Sequence, residues 1–428
     1  MLLSAESGRF IRITIAKRMD LFNRNRMGTW DYLREDLDRR RQEHRLRRMV
    51  CIASAQGPVV RMEADGSEKI LFCSNNYLNL AEDPQVRAAV RESINRYGVG
   101  SAASRLISGT MVPHAELERT FAEWVHAEAS LFFSCGWMAN QAVLQTLPQK
   151  GDLVLIDRLD HASILDAVEA GDARFKSYRH NDLNRLEALL TEPGYHRRFI
   201  VTESVFSMDG DTADLAGLVE LKKRYGAILI VDEAHSIGCM GPTGAGLAEQ
   251  MGLLEQVDIF VAPLGKAFGC GGAIVAGPQV VIDTMVNCAR PFIFTTAPSP
   301  LIASAALAAL EIIRSQPQRR QQLAANARYL RERLVSAGFD IGPSTTHIIP
   351  LMIGPSDAAV RMSEELYTRG YFVAAIRPPT VPPNTARLRI SLQTHHSGQQ
   401  MDGLLGVLMG WKQSGRIISD EPSAAEGV

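Results

Sequence analysis

The sequence lacks several features that would place it in a specialised class of protein. Its 46 lysines and arginines nearly balance 47 aspartates and glutamates, so nothing draws the chain as a whole to nucleic acid or an anionic membrane. No apolar run approaches the about 18 residues of a membrane-spanning helix.

The six cysteines include no C-x-x-C pair, which argues against a zinc ribbon or a disulfide scaffold and is typical of a reducing compartment. Residues 1–20 lack the long apolar centre of a secretory signal, and we expect a soluble cytoplasmic protein.

The length of 428 residues predicts more than one domain, because it exceeds the usual size of a single hydrophobic core. We expect a large domain at 80–320 and a smaller α+β domain at 321–415. A helix and short strands at 29–79 pack on these two. Residues 1–28 form a leader of uncertain order, and 416–428 form a tail.

The segment after Trp30 is rich in arginine, with seven between positions 34 and 48. Its apolar residues recur roughly at helical spacing. We interpret the arginines as one solvated face of a helix; the alternative is a site for a polyanion.

The centre of the chain repeats an apolar strand, a polar turn and a helix. Several strands are apolar almost throughout, which is typical of strands buried on both faces of a mainly parallel sheet. In such α/β folds, ligands bind beyond the carboxyl ends of the strands. A long helix over roughly 300–337 leads into the smaller domain. The predicted strands are 152–157, 198–204, 227–233, 257–263 and 271–277.

Asp232 closes the apolar run ILIVD, three residues before His235. A carboxylate at the end of a buried strand is costly unless it is paired, and a turn aspartate is the simplest interpretation. DEAH also occurs in P-loop ATPases, but the sequence has no G-x-x-x-x-G-K-[ST] loop. It also has no H-E-x-x-H or P-C-x-x-C motif, so we expect neither ATP hydrolysis nor a metal site.

Lys266 lies in the loop APLGKAFG, about one βα step after Asp232. An apolar, glycine-flanked loop disfavours the charged amine and favours a nucleophile or base; an ordinary surface lysine is the alternative. A lysine for a Schiff base and an acid for a ring nitrogen together suit pyridoxal 5′-phosphate (PLP). His161 follows a strand at the same sheet edge. Gly136 and Trp137 adjoin the start of a helix, where backbone N–H groups can hold a phosphate.

From about Trp30 to Gly410 the sequence resembles the α-oxoamine synthases. These fold-type-I PLP enzymes condense an amino acid with an acyl-CoA and lose CO2. The resemblance implies an aspartate aminotransferase-like fold, with a large domain around a mainly parallel sheet and a smaller α+β domain, and a homodimer with shared active sites. The matching stretches are SNNYLNL, SRLISGTMVPHAELE, DRLDHAS, HNDLNRLE, TESVFSMDGD, VDEAHSIG, GKAFGCGG and IRPPTVPPNTARLRISL.

Two sets of motifs indicate different substrates within this family. FSMDGD and IRPPTVP are similar to members that join L-alanine to a pimeloyl thioester, carried by CoA or acyl carrier protein. GPTGAG and ARPFIFT are closer to members that use serine and a palmitoyl thioester.

The resemblance implies roles at the cofactor ring for five residues. Lys266 forms the Schiff base and then acts as base and acid at the amino-acid Cα. Asp232 pairs with the pyridinium nitrogen, and His161 stacks on the ring. His235 lies by the 3-hydroxyl, with Ser207 nearby.

The phosphate region is where the chain departs from the family. By resemblance, the backbone of Gly136 and Trp137 holds the phosphate, and Thr296 reaches it from a partner subunit. Pro263 replaces the usual phosphate-binding threonine and offers neither a hydroxyl nor an N–H. Ala102-Ala103 replaces a glycine pair, and Trp137 replaces a smaller aromatic, so we expect an altered pocket.

The resemblance also implies the substrate-binding residues. Arg389 binds the amino-acid carboxylate through its bidentate fork. Asn75, Arg47 and Thr380 match positions near the acyl substrate or the reacting carbonyls. A different PLP reaction, such as aldol cleavage or aminotransfer, and a non-catalytic binding protein remain as alternatives.

Overall fold

The computed structural model describes residues 28–415. The predicted tail and all but the last residue of the predicted leader lie outside the described residues. Within 28–415, no helix is both long enough and apolar enough to cross a membrane.

Residues 28–415 contain thirteen strands and fourteen α-helices. The strands are β1 (Val59–Arg61), β2 (Glu68–Leu71), β3 (Ala129–Phe133), β4 (Leu153–Asp157), β5 (Arg174–Tyr178), β6 (Arg198–Glu203), β7 (Ile228–Asp232), β8 (Ile259–Pro263), β9 (Ala273–Gly277), β10 (Ile348–Gly354), β11 (Tyr371–Phe372), β12 (Ala374–Ile376) and β13 (Ala386–Ser391). The helices are α1 (Asp31–Gln42), α2 (Pro84–Tyr97), α3 (Val112–Trp124), α4 (Gly136–Thr146), α5 (Ala162–Glu169), α6 (Leu183–Leu190), α7 (Leu215–Tyr225), α8 (Leu247–Gln250), α9 (Gln279–Cys288), α10 (Arg290–Ile293), α11 (Pro300–Ser315), α12 (Gln318–Ser336), α13 (Ser356–Thr368) and α14 (Gly398–Gln413).

A seven-stranded sheet forms the centre of the protein, in the order β3-β9-β8-β7-β6-β4-β5. Strands β4 to β8 pair in parallel, and β9 runs antiparallel to both of its neighbours. The mainly parallel sheet is therefore confirmed. Strands β4, β6, β7 and β8 are buried along most of their length, because helices cover both faces of the sheet.

Two strands of this sheet were not predicted from the sequence. Strand β5 lies at the sheet edge, and its exposed Arg174 and Ser177 interrupt the apolar pattern. Strand β3 lies at the other edge, and among the described residues it pairs with β9 alone, which is 140 or more residues away in sequence. Neither strand has the long apolar run that identifies a central strand.

The prediction of one long helix over 300–337 was wrong. The segment forms two helices, α11 and α12, which are separated at Gln316 and Pro317. Proline lacks a backbone N–H and its ring clashes with the preceding turn of a helix, so α11 ends before it.

The N-terminal strands join the C-terminal part of the chain. Strand β2 pairs antiparallel with β1 and parallel with β11. A second small sheet has the order β10-β13-β12. The boundaries near residues 80 and 320 stay a prediction.

Helix α1 is solvated, as the sequence analysis proposed. None of its residues is buried. Its arginines form ion pairs with acidic residues of the same helix, including Arg34 with Asp31 at 2.9 Å and Arg40 with Asp36 at 2.6 Å.

Gly210 allows the loop FSMDGD to pack against strand β10. Its φ is +68°, and a Cβ there would lie 1.9 Å from the carbonyl oxygen of Ile348. Gly226, the C-cap of α7, has a similar φ of +63° with nothing within 4 Å of a Cβ.

We expect Gly210→Ala to destabilise the protein more than Gly226→Ala. Both substitutions incur the left-handed backbone cost of about 1–2 kcal/mol, but only the first adds overpacking, which costs a further about 1–3 kcal/mol. Denaturant unfolding of the two variants measures the difference. Equal losses would show that the backbone at Ile348 moves aside freely.

Candidate active site

The carboxyl ends of neighbouring parallel strands bring the predicted residues together. β6 ends at Glu203, β7 at Asp232 and β8 at Pro263, and Glu203 is in register with Asp232. His161 follows β4 at the start of α5. Lys266 stands three residues beyond the end of β8. This edge is where an α/β sheet binds ligands.

Lys266 forms a direct polar contact with His235. Lys266 Nζ lies 2.9 Å from His235 Nε2. Burial lowers the pKa of Lys266, while the charges of Asp232 and Glu203 oppose that shift. Burial also lowers the pKa of His235 well below its ordinary value, and the charge of Lys266 lowers it further. The histidine is therefore neutral.

Tyr77 fixes the tautomer of His235. The Tyr77 hydroxyl donates to Asn75 Oδ1 over 2.9 Å and lies 2.7 Å from His235 Nδ1. Because the hydroxyl proton points to Asn75, His235 donates its Nδ1–H to Tyr77. Nε2 then carries a lone pair that accepts from Lys266. Tyr77 was not predicted, although it lies within the quoted motif SNNYLNL.

Arg389 is a buried cation with no acidic partner among the described residues. Its Nε donates to the carbonyl of Ser207 over 2.6 Å, and Nη1 donates to Ser391 Oγ over 2.7 Å. Nη1 also reaches Asn75 Oδ1 at 3.3 Å, and Nη2 reaches the Tyr77 hydroxyl at 3.5 Å. A guanidinium that is 6% exposed is costly without a counter-charge, and a substrate carboxylate supplies one.

A hydrogen-bond chain joins Asp232 to His161. Asp232 is 4% exposed and accepts from the backbone N–H of Ala234 at 2.9 Å and from Asn140 Nδ2 at 3.0 Å. Asn140 also donates to Ser163 Oγ over 2.9 Å, and Ser163 Oγ lies 2.8 Å from His161 Nδ1. Asn140 and Ser163 were missed, although Ser163 lies in the quoted motif DRLDHAS. Burial and the charge of Lys266 lower the pKa of His161.

Glu203 is a second carboxylate at this edge, and the sequence analysis did not identify it. It is 1% exposed, and its Oε1 has no hydrogen-bond partner among the described residues. Burial and the neighbouring charge of Asp232 raise its pKa to about 8. The signal was available, since Glu203 ends a buried strand in the same way as Asp232.

The start of helix α4 could hold an anion. No side chain caps this 11-residue helix at Cys135, so its first N–H groups have no capping partner. A Cβ on Gly136 would lie 2.8 Å from Cγ of Pro263. The proline ring therefore packs directly against the helix start. The side chain of Trp137 is 43% exposed.

Arg47 and Thr380 lie together but outside this hydrogen-bonded group. Arg47 Nη2 donates to Thr380 Oγ1 over 3.1 Å, and Arg377 Nη2 donates to the carbonyl of Leu46 over 2.9 Å. Within residues 28–415, no hydrogen bond connects Arg47 or Thr380 to Lys266.

Thr296 is exposed, and no hydrogen bond within the described chain joins its side chain to α4. The segment after it packs against the Ala102-Ala103 loop, where Ala297 N donates to the carbonyl of Ala103 over 2.9 Å. Ala102 adopts a positive φ of 54°, a conformation that favours glycine.

These residues fit PLP. Lys266 presents an amine with a lowered pKa, and Asp232 presents a buried carboxylate that Asn140 orients. The open start of α4 suits a phosphate, and it abuts β8 through Gly136 and Pro263.

The family model for "Aminotransferase class I and II" matches residues 67–408. Curated relatives named 8-amino-7-oxononanoate synthase align over almost their entire length. The protein from Alkalilimnicola ehrlichii is 44% identical over 88% of this chain and 96% of its own. The protein from Pseudomonas paraeruginosa is 44% identical over 91% of this chain and 96% of its own. The chain belongs to the α-oxoamine synthases. It is a PLP-dependent acyltransferase of the aminotransferase class I and II family.

Solved structures of other α-oxoamine synthases confirm the fold-type-I architecture. A serine palmitoyltransferase variant from S. paucimobilis, solved with bound PLP–myriocin, has a TM-score of 0.85 and 30% identity, covering 91% of this chain and 99% of that one. The 8-amino-7-oxononanoate synthase from Francisella tularensis has a TM-score of 0.72 and 29% identity, covering 82% and 99%.

We expect Pro263→Thr to strengthen PLP binding. The threonine hydroxyl would add a donor beside the start of α4, and one hydrogen bond to a charged group contributes about 1.5–3 kcal/mol, or at least about a tenfold lower Kd. Pro263→Val is the matched control, because valine has the shape of threonine without the hydroxyl. Titration of cofactor-free protein with PLP measures both constants. Equal affinities for the two variants would contradict a role for the hydroxyl.

We expect Glu203→Gln to change how stability depends on pH. A carboxyl whose pKa rises from 4.5 to about 8 on folding holds its proton in the native state across that window, while the unfolded state has lost it. Its contribution to stability is therefore present at low pH and is lost as pH rises towards 8. Unfolding of cofactor-free protein between pH 5 and 8 should show a steeper loss in the wild type than in Glu203→Gln. The control Glu220→Gln, at an exposed position, should lose stability with rising pH as the wild type does. If Glu203→Gln also loses stability at the wild-type rate, this interpretation is wrong.

Proposed function

We propose that the protein condenses L-alanine with a pimeloyl thioester, as an 8-amino-7-oxononanoate synthase of biotin biosynthesis. The products are the α-oxoamine, CO2 and the free thiol carrier, which we take to be CoA. The identity of 43–45% to curated relatives with that name supports this assignment. We further propose that it acts in the cytoplasm.

The buried guanidinium of Arg389 carries the proposal. It has no acidic partner within residues 28–415, and it contacts Asn75 and Tyr77, which lie next to His235 and Lys266. A bound amino-acid carboxylate on Arg389 would place its Cα near the amine of Lys266.

The residues around Lys266 suit proton transfer at that Cα. When bound, PLP supplies an electron sink for the Cα carbanion. Lys266, with its pKa lowered by burial, accepts the Cα proton and later returns one. Neutral His235 accepts a hydrogen bond from Lys266 and so holds the amine in place. Asp232, oriented by Asn140, would hold a proton on the ring nitrogen.

The remaining assignments of cofactor and substrate residues are also proposals. His161 would pack on the PLP ring, His235 and Ser207 would lie near its 3-hydroxyl, and the backbone at the start of α4 would hold its phosphate. Arg47 and Thr380 would contact the acyl substrate together, since they are hydrogen-bonded to each other.

We also propose a homodimer in which Thr296 completes the partner's phosphate site. Exposed apolar side chains surround the segments that carry Thr296 and Ala102-Ala103, and a second copy would cover them. These side chains are Val99, Leu106, Ile107, Val112 and Phe294.

A serine palmitoyltransferase-like reaction is the second candidate. The TM-score of 0.85 to such enzymes, against 0.72 for the solved 8-amino-7-oxononanoate synthase, favours it. Sequence identity favours the first candidate, because the curated relatives reach 44% and the palmitoyltransferases 30%.

A thiol-release screen separates the two candidates. We expect free CoA to form from pimeloyl-CoA in the presence of L-alanine, and at least about tenfold more slowly from palmitoyl-CoA with serine. Lys266→Ala should abolish release with every pair, and Arg389→Lys should raise the KM for alanine, because lysine cannot form a bidentate contact. Activity with serine and palmitoyl-CoA alone would establish the second candidate, and no release with any pair would overturn the acyltransferase assignment for both.

A further inference from the structure

A cavity of about 270 Å3 lies behind the active site, between helix α12 and the segments 239–250 and 345–347. Its volume is below the about 300–1000 Å3 of pockets for drug-sized ligands, so it suits a small ligand. The residues assigned above to PLP and to the substrates are not part of its wall.

The polar groups of the cavity wall favour an anion. Arg328 and Arg331 both line the cavity, with Gln250 and Thr345, and the wall contains no aspartate or glutamate. Arg331 Nη1 donates to the carbonyl of Thr346 over 2.8 Å. Neither arginine forms an ion pair within residues 28–415. Burial lowers the pKa of Arg331, the nearby charge of Arg328 lowers it further, and Glu332 partly offsets both.

His347 forms the inner part of the wall. Its side chain is 3% exposed, and its Nε2 has no hydrogen-bond partner among the described residues. Burial and the charges of Arg389 and Arg331 lower the pKa of His347 to about 3, so the ring is neutral. That nitrogen is not accessible from the cavity, so His347 contributes its ring to the wall and no hydrogen bond to a ligand.

The same wall reaches the catalytic hydrogen bonds. The His347 ring packs edge-on against Tyr77 with ring centroids 4.1 Å apart, and Tyr77 contacts His235. Cys239 and Met240, which also line the cavity, belong to the turn that begins at His235; the backbone N–H groups of both bond to the carbonyl of Ser236.

We propose that this cavity is a second ligand site, which binds a small oxyanion bearing a phosphate or carboxylate group through Arg328 and Arg331. Its occupancy is sensed at Lys266 through Tyr77 and His235. The proposal does not depend on which amino acid or acyl thioester the enzyme uses.

Calorimetric titration of the PLP-saturated enzyme tests the site. Inorganic phosphate and acetate are the two probes, and sodium chloride at equal ionic strength is the reference, because salt alone screens exposed charge. We expect saturable binding of at least one probe. Arg328→Gln should raise its Kd about tenfold, as expected for the loss of one charge-assisted hydrogen bond. Arg333→Gln, an exposed arginine on the same helix, should leave the Kd unchanged.

Variants of His347 and the visible spectrum test the connection to the active site. His347→Ala removes the ring that packs against Tyr77, and we expect this variant to bind the probe without the change in absorbance that binding causes in the wild type. In the wild type, the absorbance of the PLP bound at Lys266 should change with the same Kd as the heat signal. Thermal unfolding of each variant confirms that it is folded.

Three outcomes would overturn the proposal. No saturable binding of either probe above the chloride reference would show that the site does not exist. Unchanged affinity in Arg328→Gln would place the binding elsewhere, at Arg389 or at α4. Binding that leaves the absorbance at Lys266 unchanged would remove the connection to catalysis. A failed thiol-release screen affects none of these readouts, so the two proposals fail separately.

Discussion

The site depends on one buried amine held by a neutral histidine. Within residues 28–415 Lys266 Nζ forms no ion pair, and it donates to His235 because the Nδ1–H of that ring is directed to Tyr77. Three distant parts of the chain must meet for this: the turn after β8, the segment after β2, and the end of β7. The sheet order, with β7 beside β8, brings the first and the last together. A base that removes a proton from carbon needs an amine that is not held in its protonated form. The contact to His235 keeps the amine of Lys266 in place without an ion pair.

Much of the fold and part of the site could be predicted from the sequence. Buried parallel strands leave long apolar runs, and Asp232 and Lys266 follow directly from the ends of two of them. Glu203 satisfies the same rule but was overlooked, because its importance depends on β6 lying beside β7. A single sequence does not reveal strand order, so the pairing of Glu203 with Asp232 was not accessible.

Contacts between distant segments were the other limit. Tyr77 reaches His235 across 158 positions, and Arg389 reaches Ser207 across 182. No periodicity or spacing encodes such contacts. The break at Pro317 was missed for a different reason: the alanine- and leucine-rich pattern continues through it, and the helical period outweighed a single proline.

The pairing of β2 with β11 has a mechanical consequence. Phe72 bonds through its backbone N–H to Phe372 and through its carbonyl to Ser391, and Tyr77 accepts from Thr394. The segment carrying Asn75 and Tyr77 is thus hydrogen-bonded to the C-terminal sheets, while Lys266 and His235 follow strands of the central sheet. The hydrogen bond between Tyr77 and His235 therefore joins the C-terminal sheets to the central sheet, as does the hydrogen bond from Arg389 to the carbonyl of Ser207.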